Sequence, residues 1–274
     1  MRFKTFLEAA ATERQGARKI DTVSMEAAAD ILNEHCANAL WMRNLKRPIW
    51  RGEMDGTLPR ALDVSGFAVT DTSATVRRSE NTSNYYTLIF DNIPSREHLP
   101  KRSRSYIATT NRHAASDYAD NEPFIIIPYD TTPIGVVNKD DMWATSIKFL
   151  GATNLVEELN GFFASLELKD NQWSSFVNFD RLLKSGDEAA IDRLRVAVDD
   201  AAVIGLSLQK NSHTAFMEQL DAAYSARATG HTAATTATLK RSGETEVWVS
   251  GKVVLISLSM WERLVKNPPS KTEW

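Results

Sequence analysis

The stretch Ser242-Gly243-Glu244-Thr245-Glu246-Val247-Trp248-Val249-Ser250-Gly251 sets two carboxylates at i, i+2 between a Ser-Gly turn signal and a β-type apolar run. In a strand, or an extended segment entering one, residues i and i+2 point to the same side, so Glu244 and Glu246 face one cleft together. Like charges side by side oppose each other's ionisation unless a cation or a hydrogen-bond donor stands between them. Such a pair suits acid/base or cation-stabilising chemistry. A solvated turn leading into a strand uses the same residues, and the local pattern leaves both readings open.

The bulk of the chain narrows the field. Its 274 residues suit one large domain or two small ones and are enough to bury a sizeable core. A hydrophobic content of 43% and a charged content of 24% are those of a soluble globular protein. The net charge of −3 and pI near 6.0 give no global support for a life on nucleic acid. Cys36 is the single cysteine, so no internal disulfide forms, and its place on a helical apolar stripe predicts a buried structural thiol. No apolar run approaches the ~20 residues of a membrane span, and Met1 to Ala9 lacks the apolar core of a secretory signal. The expectation is a cytoplasmic protein, of a bacterium or of something that replicates in one.

Taken in order, residues 1–19 predict a short amphipathic helix. A second helix, capped by Ser24, carries Ala28, Leu32, Cys36 and Ala39 on one face and runs to about Met42. Pro48 to Glu53 is a short strand ending in Arg51 and Gly52. The arginine is a structural ion-pairing residue or an anion clamp, and the glycine lets backbone or ligand come close. Asp63 to Arg78 reads as β-type or loop, and Asn84 to Asp91 as a strand. The basic run Lys101-Arg102-Ser103-Arg104 is a solvated face or part of a polyanion site.

Ser105 to Thr110 predicts a β run ending in hydroxyls, and Asn111 caps a helix bearing Ala114, Ala115, Tyr118 and Ala119. Hydroxyls and helix N-terminal amides at one point suit a phosphate or a ribose; an ordinary capped junction has the same pattern. Phe124 to Pro128 is a buried strand, and residues 142–150 suggest a helix. Residues 153–226 read as a helical insertion, either setting substrate choice or purely structural. Residues 227–238 are expected to form a flexible loop, Lys252 to Leu258 another strand, and 267–274 a flexible tail. His113 reads as a surface histidine, no His/Cys/Asp spacing suits zinc, and no glycine-rich nucleotide or nucleophile-elbow motif is present.

Three blocks line up in chain order: Ile49-Trp50-Arg51-Gly52, Tyr106-Ile107-Ala108-Thr109-Thr110 leading to Tyr118-Ala119, and the Glu244-x-Glu246 loop entering a strand. The set resembles the Arg/Ser-Thr-Ser/Glu-x-Glu group of mono-ADP-ribosyltransferases, most of all those of tailed bacteriophages. The resemblance implies a single α+β domain over 1–274. Its core is a split β-sandwich around an NAD cleft, with N-terminal helices over 1–46 and the insertion at 153–226. It implies NAD as co-substrate, no metal, no membrane, and transfer of ADP-ribose to a macromolecular acceptor. The Glu-x-Glu pair points to a protein arginine, with nucleic acid and water as alternatives.

By the same resemblance Arg51, with Gly52 beside it, grips NAD. Ser105, Thr109 and Thr110 stand around the Ser-Thr-Ser position, where Ala108 replaces the first hydroxyl. Glu246 is the catalytic glutamate and Glu244 prepares the acceptor. Tyr118, Tyr106 and Trp248 are the aromatic residues available to stack on nicotinamide. An enzyme of this kind and a binding protein that keeps the fold without the chemistry are both consistent with the chain, and Ala108 favours the second.

Overall fold

The computed structural model describes residues 19–53, 57–75, 91, 94–137, 225–239 and 245–267. Two compact units divide the chain. One comprises Met1–Gln15, Val76–Glu97 and Trp143–Thr229. Its described part has a short 3-10 turn at Pro94–Arg96 and a helical turn at Ala226–Thr229. There the buried Arg96 donates from Nη1 to the Thr229 hydroxyl at 3.3 Å. The other unit, Gly16–Thr75, His98–Met142 and Gly230–Trp274, carries the sheet.

That sheet makes the unit mixed α+β. Its strands are β1 (Ile20–Thr22), β2 (Ile49–Arg51), β3 (Phe67–Asp71), β4 (Tyr106–Thr109), β5 (Phe124–Pro128), β6 (Ile134–Val137), β7 (Thr232–Ala234), β8 (Glu246–Val249) and β9 (Lys252–Ile256). They pair in the order β1-β3-β9-β5-β2-β4-β8-β6-β7. Every pairing is antiparallel. Hydrogen bonding is continuous across nine strands, so one large sheet stands where the resemblance implies two. The ladder thins at one place: β2 and β4 share a single register pair, Trp50 with Thr109. This seam leaves five strands on the β2 side and four on the β4 side.

Burial follows the apolar pattern. All five residues of β5 are buried, as the Phe-Ile-Ile-Ile-Pro run requires of a strand covered on both faces. Val253 to Ile256 of β9 are buried likewise. Helices α1 (Met25–His35), α2 (Leu40–Asn44), α3 (Thr57–Ser65), α4 (Arg112–Ser116), α5 (Ala226–Thr229), α6 (Thr236–Leu239) and α7 (Leu258–Lys266) complete the described elements with short 3-10 turns. Ala28 and Leu32 of α1, Leu58 and Leu62 of α3, and Leu258, Trp261 and Leu264 of α7 join the core. The Ser24 hydroxyl accepts from Ala27 N at 3.2 Å, the cap the sequence predicts.

Several expectations need correction. The helix begun at Ser24 stops at His35, because Cys36 turns out of helical geometry (φ −127°, ψ 25°) and a 3-10 turn at Ala37–Ala39 separates it from α2. Asp63 to Ser65 end helix α3 where β or loop is expected, and Leu258 opens α7 where the strand is expected to finish. Residues 227–238 form the end of α5, strand β7 and part of α6 in place of a flexible loop, with His231 and Thr236 buried. The expected first helix before Lys19, the strand at 84–90, the helix at 142–150, the insertion up to Tyr224 and the tail from Pro268 lie outside the described residues.

Candidate active site

The alternation of β8 decides what Glu246 can reach. Val247 and Val249 enter the main core, so Glu246 and Trp248 face the other way. Antiparallel partners share a face. Thr109 is opposite Glu246, and Trp50 is opposite Thr109. Val137 flanks Glu246 on its far side, while Ile107 and Gly135 flank Trp248. One file of side chains therefore crosses β2, β4, β8 and β6 with Glu246 in it. This brings together blocks that lie far apart along the chain.

Glu246 is only 6% exposed. Burying a carboxylate without partners is costly, and here the partners are present. The indole Nε1 of Trp248 donates to Glu246 Oε1 at 2.5 Å. Arg102 brings Nη1 to 4.0 Å from the same oxygen, and its guanidinium lies 5.7 Å from the Trp248 ring centroid. Trp248 is itself held at its edge by His231, at 4.6 Å between centroids and 66° between planes. His231 has room because residue 135 is glycine: a Cβ there would stand 2.1 Å from the imidazole Nε2. An anionic oxygen fixed in a largely water-free site can stabilise positive charge developing beside it.

The hydroxyl residues are arranged around backbone. Thr110 exchanges bonds with Thr245: its N–H donates to the Thr245 carbonyl at 3.1 Å, and its Oγ1 accepts from Thr245 N at 3.0 Å. These bonds continue the β4–β8 ladder to the foot of Glu246. Thr109 Oγ1 accepts from Asn111 N at 3.0 Å, and the buried Ser105 donates to the Lys101 carbonyl at 2.7 Å. Ala108 pairs with Val247 on the opposite face of the sheet from Glu246.

Arg51 also faces away from Glu246, being next to Trp50 in β2 and opposite Phe124. Its Nη1 donates to the Ile107 carbonyl at 2.5 Å across the seam, with the guanidinium 5.9 Å from the Tyr106 ring centroid. At Gly52 the close approach is made by backbone: an added Cβ would lie 2.0 Å from the Ala115 carbonyl oxygen and 2.8 Å from the Tyr118 carbonyl carbon. Of the three aromatics, Tyr106 and Trp248 are each 1% exposed and Tyr118 is 47% exposed. Only Tyr118 among them has substantial surface for a ligand ring. Glu244 lies outside the described residues.

Arg102, which the sequence shows only as one member of a basic run, and His231 belong to the site as well. The basic run divides on folding: Lys101 is exposed, Arg102 turns to Glu246, and Arg104 Nη1 donates to the Ser73 carbonyl at 2.9 Å. The signal for Arg102 is the charge balance that a buried glutamate demands. Nothing local marks His231. Among the described residues no group of three or more His, Cys, Asp and Glu side chains could hold a metal ion, and no helix is long and apolar enough to cross a membrane. Comparison with family models, curated proteins and solved structures finds no match to this chain.

Proposed function

We propose that the chain is an NAD-dependent mono-ADP-ribosyltransferase that passes ADP-ribose to a macromolecular acceptor, a protein arginine first among them. One observation carries this reading. The arginine, hydroxyl and glutamate blocks occupy the neighbouring strands β2, β4 and β8, with Thr109 in register with both Trp50 and Glu246. The seam between β2 and β4 supports the finer fold reading, two sheet halves opening around an NAD cleft.

In this reaction the bond between nicotinamide nitrogen and ribose C1′ breaks, and nicotinamide leaves with the electron pair. The ribose takes on oxocarbenium character, as in glycoside cleavage. Glu246 stabilises that charge and holds the ring. The acceptor nitrogen bonds to C1′ and gives its proton to Glu244. Tyr118 supplies an aromatic face near Gly52, and the Thr109–Thr110 turn borders the ribose.

Incubation with label on the adenylate part of NAD and a bacterial lysate tests the reading. Label should appear on material degraded by protease and not by nuclease. Glu246→Gln should abolish it while the fold stays intact by circular dichroism; near-normal transfer by that variant sinks the assignment. The low exposure of Glu246 and its ties to Arg102 and Trp248 favour a second reading, a binding protein of this fold without turnover. Retention of NAD with no nicotinamide released would support it.

A further inference from the structure

We propose that Trp248 is the positioning residue for Glu246, holding its carboxylate through the indole N–H. The proposal rests on the transferase reading. A serine at 108 would not mend the site: Ala108 is opposite Val247, on the core face of the sheet, and Glu246 is on the other. Of the hydroxyls nearby, Thr109 Oγ1 accepts from Asn111 N, Thr110 Oγ1 accepts from Thr245 N, and Ser105 donates to the Lys101 carbonyl. Trp248 stands two residues along the strand on the same face, and its N–H meets Glu246 Oε1.

A group that orients another must itself be fixed. Trp248 is 1% exposed, braced at its edge by His231, which in turn occupies the space left by Gly135. Arg102 adds the charge: it approaches the same carboxylate oxygen at 4.0 Å and lies over the indole. Oε1 is thus anchored by both groups, and Trp248 helps to set the carboxylate's rotation about its last bond. An indole N–H donates and does not accept, so it holds the carboxylate form in particular.

Trp248→Phe keeps a six-membered aromatic ring and removes the indole N–H together with the pyrrole part of the side chain. We expect kcat for nicotinamide release to fall roughly 10- to 100-fold while KM for NAD stays near that of the unaltered chain. Equal kcat in a folded Trp248→Phe protein overturns the proposal. A second measurement needs no Trp248 variant. Among the seven tryptophan indole protons, one should resonate downfield in the unaltered chain, move upfield in Glu246→Gln, and follow the carboxylate's titration with pH. No responding indole proton overturns the bond itself. Absence of both transfer and NAD hydrolysis by the unaltered chain overturns the transferase reading, and the catalytic use of the bond with it, while the indole resonance still reports whether the bond exists.

Discussion

Cys36 is fully buried, at the end of α1, with Asp130 close by. Loss of hydration pushes its thiol well above the ordinary range, and the Asp130 charge adds to the effect. The thiolate is the reactive species, so the folded protein should resist alkylation at neutral pH and react fully once unfolded. Mass measurement after a short iodoacetamide pulse, with and without denaturant, checks this. The sign of the linkage is fixed too. Above about pH 8.5, the usual cysteine value, the unfolded chain gives up a proton that the folded chain keeps. Stability from this group is therefore complete below that pH and lost as pH rises. A Cys36→Ser variant should show a shallower alkaline decline in denaturation midpoint.

Helix α4 is a short element that depends on its cap. Asn111 Oδ1 accepts from His113 N at 2.9 Å and from Ala114 N at 3.4 Å, and five residues of helix follow. Asn111→Ala should destabilise the protein by about 1 kcal/mol, read from urea denaturation. Because Asn111 N also donates to Thr109 Oγ1, the variant should disturb the Thr109–Thr110 turn less than a proline there would. This cap and that of Ser24 were legible in the sequence, since capping is a local contest for the first free amides. Strand β5 was legible as well, because an isoleucine run has nowhere to go but a covered strand. Helix α7 was hidden by its start: Val253 to Leu258 is a nearly unbroken apolar run such as a covered strand carries, and only the Ser257 hydroxyl accepting from Met260 N marks where strand gives way to helix. Strand β7 was hidden by composition, for Thr232-Ala233-Ala234 has no large side chain to announce a face.

At the scale of the sheet, order and register are long-range facts, and no local pattern states that β2 and β4 meet through one pair. The sequence named the blocks of the candidate site but not that Arg51 and Glu246 leave the sheet on opposite faces, a matter of one residue's shift in register. Arg51 Nη1 meets the Ile107 carbonyl where the ladder is thinnest, so the guanidinium ties the β4–β8 half to the β2 half. Arg51→Ala should lower the unfolding free energy by about 1.5–3 kcal/mol, the range for a bond to a charged donor. It should also weaken NAD binding, because Thr109 and Glu246 ride on the half that is released. Arg51→Lys separates the causes. Lysine keeps the charge but lacks the planar fork that spans carbonyl and ring. For a tie at the seam, Arg51→Lys should recover neither full stability by urea denaturation nor NAD affinity by calorimetry. Affinity restored in Arg51→Lys while stability stays low would assign Arg51 to NAD through its charge alone.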